Sequence, residues 1–169
     1  MTKRIKILIL TILIGVSSML SAKAYVFNGY TVPNHNYVTY YVYSSFSPYV
    51  YDFNTYSVKW NTSPKITILP SSGVNATISV EGDLMSSNID AYGVTYHHTN
   101  GTGTIIFYHN FTSLTTVEKH ETIIHEVGHV LGLAHCQPSK NSISVMRQYG
   151  FNHVETPLSD DWAGINALY

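Results

Sequence analysis

Residues 125–135 read His125-Glu126-Val127-Gly128-His129-Val130-Leu131-Gly132-Leu133-Ala134-His135, and the rest of the chain reads as a mount for them. On a helix, His125 and His129 are four residues apart, so both imidazoles project from one face. Glu126 lies one position on, about 100° around the helix. Gly132 can take the left-handed conformation that ends a helix and turns the chain. That turn lets His135 come back toward the first two histidines. Three neutral imidazoles with an open fourth position describe a catalytic zinc site, because a structural site fills all four positions with protein. The metal acidifies water in the open position. A carboxylate beside that water can take its proton and pass it to a leaving amine. Histidine pairs at helical spacing also occur as plain surface or core residues. The eleven-residue form fixes five positions, one of them a glycine where the geometry needs it, and that favours the metal reading.

The stretch resembles the long zinc signature of the metzincin metalloproteases, H-E-x-x-H-x-x-G-x-x-H. Ser144-Val145-Met146 stands where such a protein has its methionine turn. Pro157-Leu158-Ser159-Asp160-Asp161-Trp162-Ala163-Gly164-Ile165 resembles the start of the last helix in the matrixin branch. The likeness is strong from about Thr115 to the C-terminus and weaker over 37–110. It implies an α+β, zincin-like catalytic domain: a twisted, mixed sheet of four or five strands packed on an active-site helix, then a small helical C-terminal subdomain. It also implies a zinc metalloendopeptidase, with His125, His129 and His135 as ligands, Glu126 as general base and Met146 as an apolar floor beneath the metal. A protein or peptide substrate would pair with an exposed edge strand. By position, Thr104–His109 matches that edge. Gln148 and Tyr149 resemble the wall of the pocket beside the zinc, with Tyr149 either stabilising an oxyanion or simply packing.

The sequence departs from the family pattern in three places. A propeptide with a zinc-blocking cysteine is not expected, since the domain starts almost at the leader cleavage point. The residue after the third histidine, often Ser in matrixins, is Cys136. It is read as a small buried residue, with an added ligand or redox sensitivity as the alternatives. The structural zinc and calcium loops of matrix metalloproteases would fall near 83–110. His97, His98 and His109 occur there without the H-x-D spacing or acidic, glycine-rich loops. A structural zinc or calcium therefore stays open, with exposed histidines as the default.

Met1-Thr2-Lys3-Arg4-Ile5-Lys6 is basic, Ile7 to Val16 is apolar, and small residues follow to Ala22-Lys23-Ala24. This describes a secretory signal peptide over 1–24; the apolar run is short of the roughly 20 residues a membrane span needs. Residues 25–169 would form one catalytic domain, secreted, extracellular and monomeric. That part carries five basic against ten acidic side chains, a net charge of −5 with His neutral. Such a balance argues against nucleic acid or an anionic membrane as partner. Cys136 is the only cysteine, so no internal disulfide forms.

Along that domain, 25–36 reads as a loose, turn-rich arm. Residues 37–43 are β-branched and aromatic and predict a strand. Tyr49, Phe53, Tyr56 and Trp60 recur at helical spacing and predict a helix over 49–60. Further strands are expected at 66–69, 76–80 and 104–109, with a short one at 93–97. Thr115 and Glu118 form a capping box that starts the histidine helix. Val117, Ile123, Ile124, Val127, Val130 and Leu131 give it a broad apolar stripe. Ser159 is the expected cap of the last helix, with Asp160 and Asp161 in its first turn. A rival to the peptidase is a binding or adhesion module that keeps its zinc; a module of that kind has no need of Glu126. An amidase of cell-wall peptides would share the chemistry but not the substrate.

Overall fold

Alternating side chains set the sheet. Val38 and Tyr40, Ile78 and Val80, and Ile105 and Phe107 are buried, while the residues between them are half open. Period-2 burial of this kind lays one face of a sheet on a core. The structure, a computed structural model, describes residues 25–86 and 89–169. The leader expected over 1–24 lies outside the described residues.

Five strands form the sheet: β1 (Val38–Val42), β2 (Ile68–Pro70), β3 (Ile78–Asp83), β4 (Gly93–His97) and β5 (Gly103–Tyr108). Their order is β2-β1-β3-β5-β4. β2, β1, β3 and β5 run parallel, and β4 pairs antiparallel with β5, Thr95 lying opposite Ile105. The fold is thus α+β with a mixed five-stranded sheet, as the resemblance implied. One expectation is overturned. The strand near 104–109 is β5, enclosed between β3 and β4, and the edges are β2 and β4. A parallel crossover places β5 beside β3, and the short hairpin through 98–102 pairs β4 with β5 alone, which leaves its other side unpaired.

Helix α3 (Thr116–Val130) packs across the buried face. Its start is the expected capping box: Thr115 N and Oγ1 both donate to Glu118 Oε2, at 2.9 and 2.7 Å. Ile123, Ile124, Val127, Val130 and Leu131 are buried against the sheet and the aromatic layer before it. That layer is the predicted 49–60 helix in altered form. Only α1 (Val50–Tyr56) is α-helical, between 3-10 segments Ser44–Tyr49 and Ser57–Thr62. Tyr, Val, Thr and Asn are mediocre helix formers, so tertiary packing decides the winding. Phe46, Phe53 and Trp60 are fully enclosed, Phe46 stacks on Phe107 at 4.4 Å, and Trp60 Nε1 donates to Ile124 O at 3.1 Å. Each such side chain contributes about 1.5–3 kcal/mol by burial.

A short turn of helix, α2 (His109–Thr112), leads into α3, and α4 (Ser159–Leu168) closes the chain. The α4 cap is Leu158, not Ser159. The Asp161 carboxylate reaches back to accept from Leu158 N at 2.7 Å, which starts the helix one residue early. Nor is the arm over 25–36 loose. Phe27 bridges antiparallel to Leu133, Asn28 N donates to Gly132 O at 3.1 Å, and Ala134 N donates to Val26 O at 2.8 Å.

Gly132 makes the reversal after α3, with φ +102°. A Cβ there would lie 2.5 Å from Tyr30 O and 2.6 Å from Leu168 Cδ2. Gly132→Ala therefore carries the left-handed cost of about 1–2 kcal/mol plus two collisions. We expect at least about 2 kcal/mol of lost stability by urea unfolding. Gly73→Ala, which meets nothing within 4 Å, should change little.

Candidate active site

Helix geometry and the Gly132 turn bring the three histidines together. His125 and His129 lie one turn apart on α3, with ring centroids 4.6 Å apart. His135 returns to within 3.3 Å of His129, Nε2 to Nε2. One ligand nitrogen from each residue falls within 4.8 Å of the others, and no other such group of three occurs among the described residues. Backbone carbonyls fix the direction of two rings: Nδ1–H of His125 donates to Val145 O at 2.7 Å, and Nδ1–H of His129 to Leu133 O at 2.8 Å. This tautomer leaves Nε2 with its lone pair toward the common point.

Electrostatics agree with that arrangement. Burial pushes the His125 imidazole down to about 4 and the His129 imidazole down to about 3, and it lowers His135 as well. The set is neutral near pH 7, the form in which imidazole binds a metal. Three nitrogens around one point, with no fourth His, Cys, Asp or Glu converging among the described residues, suit zinc with an open position. The donor set fits the group that the resemblance implies.

Glu126 is buried on the sheet side of the helix. Thr95 Oγ1 in β4 donates to its Oε2 at 2.7 Å and also lies 3.0 Å from the Glu126 carbonyl oxygen. Burial raises the Glu126 pKa, partly offset by the neighbouring His129 and the Thr95 bond. Gly93, also in β4, makes room: a Cβ there would stand 3.0 Å from Glu126 Cγ and 3.2 Å from Oε1. Neither Thr95 nor Gly93 is singled out by the sequence. Their partner lies some thirty residues on, and a Thr and a Gly in a short strand carry no local signal.

A cavity of about 670 Å³ is lined by all three histidines and Glu126, with β4 on one side and residues 147–151 on the other. Gln148 and Tyr149 do line this wall, and both are exposed. The Tyr149 ring, 77 % open, is not packed. Met146 is buried, its sulfur standing 2.5 Å from the position of a Cβ on Gly128. It forms an apolar support under the middle of the HExxH turn. Asp161 holds the Val145–Met146 turn from α4: its carboxylate accepts from Ser144 Oγ and from Val145 N at 2.9 Å. A helix-start acid is legible in sequence; this cross-link is not.

The other residues singled out by sequence fall elsewhere. Cys136 is buried, donates its N–H to Met146 O at 2.7 Å and places its sulfur 3.4 Å from Asn141 Oδ1, outside the histidine group. His97 stacks on Tyr30 at 4.2 Å, His98 meets Thr104 Oγ1 at 3.0 Å, and His109 Nδ1 meets Leu84 O at 2.9 Å. These three do not converge.

No curated protein sequence matches this chain. Among solved structures, a crystal structure of myroilysin superposes with a TM-score of 0.63 at 16 % identity, covering 84 % of this chain and 86 % of that one. A second myroilysin structure gives 0.51 at 22 % identity over 66 % of this chain; this chain spans 54 % of that one. A chain of the ECX AB5 holotoxin, in its GM1-bound form, gives 0.57 at 16 % identity, covering 86 % and 88 %. At these identities the likeness shows the fold alone. The sequence profile of the matrixins matches residues 57–169, from the aromatic layer through the histidine helix to the end of α4. The chain belongs to the matrixin family, the zinc-dependent metalloproteases.

Proposed function

We propose that this protein is a secreted zinc endopeptidase that hydrolyses internal peptide bonds of proteins or peptides in the extracellular space. The observation that carries the reading is the placement of Glu126, a buried carboxylate of raised proton affinity in the same cavity wall as the three imidazoles. A binding module has no use for such a group there, and a proton shuttle does. The basic and apolar leader over 1–24 supports export.

His125, His129 and His135 would hold the metal through Nε2. Zinc held there would polarise a peptide carbonyl and acidify water. The remaining steps belong to the chain. Thr95 occupies Oε2 of Glu126, which leaves Oε1 to take a proton from the attacking water. With its affinity raised by burial, the carboxylic acid then delivers that proton to the leaving amine nitrogen. β4 offers an unpaired edge along the cleft, on which an extended substrate can add as a strand. A net charge of −5 over 25–169 supports peptide rather than nucleic acid as the partner.

Glu126→Gln should retain the metal and lose cleavage of a mixed peptide library by about 10²–10⁴-fold, the usual worth of a general base. Zinc content and turnover, measured on the same preparation, check this. Zinc uptake with no cleavage by the native chain would instead favour the binding module. A library that includes cell-wall peptides separates the amidase.

Gly93→Ala crowds the Glu126 side chain without touching a histidine. We expect kcat to fall about tenfold or more, as small displacements of a reacting group do, with zinc content unchanged. Thr95→Val should act in the same direction by freeing the carboxylate.

A further inference from the structure

The Asn28 side chain lies where the two histidine-bearing segments, α3 and the loop that leads to His135, meet. Its Nδ2 is 2.8 Å from His129 O and 3.2 Å from Leu133 O. The first carbonyl belongs to the last turn of α3, where it also accepts from Gly132 N at 3.0 Å. The second belongs to the reversal that leads to His135, and it also accepts from His129 Nδ1 at 2.8 Å. The amide orientation is set by its other end, since Oδ1 accepts from Tyr30 N at 3.0 Å. Nδ2 is therefore the end that faces the two carbonyls, and His97 Nε2, at 3.1 Å, gives it a third neighbour.

We propose that Asn28 is a positioning residue of the metal centre, which clamps the end of α3 to the 132–134 loop so that His129 and His135 converge before any metal binds. The inference rests on the metal reading of the three histidines. Around the clamp, the arm pairs with the loop through Phe27 and Leu133, and Tyr30 stacks on His97 of the edge strand. The third ligand is thus held by chain about a hundred residues away in sequence. Without the clamp, the carbonyl that orients the His129 ring loses one of its two donors. Ordering the loop then has to be driven by the metal, and affinity falls.

The test uses the full chain with Asn28→Ala and Asn28→Leu, the second keeping side-chain bulk without a donor. Asn61→Ala is the control. Its amide also makes two backbone bonds, to Ile68 O at 3.0 Å and from Ile68 N at 2.7 Å, but in β2 rather than at the site. Zinc dissociation constants come from chelator competition, and the rise in melting temperature on zinc addition is measured alongside. Both Asn28 variants should bind zinc about 10–100-fold more weakly, as loss of a ligand's outer partner does, and show a smaller zinc-induced rise. Asn61→Ala should melt earlier in both forms with zinc affinity unchanged. The proposal is overturned if the Asn28 variants bind zinc within twofold of the native chain, or if Asn61→Ala weakens binding as much. It is also overturned if neither Asn28 variant folds, because the arm is then a folding element. No zinc uptake by the native chain would bring down the metal reading itself, a result distinct from equal uptake by all.

Discussion

Three imidazoles must meet at one point, and a single helix can supply only two of them. The whole arrangement answers that constraint. His125 and His129 are locked to each other by helical spacing, so the third residue has to return, and the return is the reversal at Gly132. Its backbone is pressed against Tyr30 and Leu168, so the turn is held by elements from both ends of the described chain. The neutrality of the rings has the same origin. Burying them to fix their geometry also removes the protons that would compete with a metal.

A second consequence concerns the carboxylate between the histidines. Glu126 points from the same helix toward the sheet, where an ionised group with no partner would be costly. Thr95 satisfies one oxygen, and Gly93 supplies the space that a side chain would otherwise occupy. β4 therefore has two roles. It is the edge that borders the cleft, and it is the surface that sets the position and proton affinity of Glu126. On the far side, Asp161 pins the Val145–Met146 turn, and the Val145 carbonyl in turn orients the His125 ring. The His125 and His129 ring directions can each be traced to a backbone carbonyl, and each of those carbonyls to a distant polar side chain.

What could be read from the sequence is what short range dictates. The histidine pair, Glu126, the Gly132 turn and the Thr115–Glu118 capping box lie within about twenty residues of one another, and the structure forms them as expected. Strands rich in β-branched and aromatic residues, such as 37–43 and 104–109, were also legible. Their order was not, because pairing of β5 with β3 joins residues twenty-five apart and nothing local reports which strand is left at the edge. The same limit explains Leu158 in place of Ser159 as the cap, since the deciding carboxylate also answers to the methionine turn. It explains the 3-10 segments around α1, where burial of Phe46 and Trp60 overrides weak propensity. Asn28 was invisible for the strongest version of this reason: a turn-rich polar arm becomes ordered only through carbonyls 101 and 105 residues away.

X-ray absorption at the zinc edge of the metal-loaded protein addresses the central claim most directly. Three histidines with an open fourth position predict three nitrogens at about 2.0–2.1 Å and one light oxygen scatterer, with no sulfur. A sulfur shell near 2.3 Å, which only Cys136 or a methionine could supply, would contradict the account. So would outer-shell scattering from four imidazoles instead of three, because the site would then be closed and the cavity beside Glu126 would have no chemistry to perform.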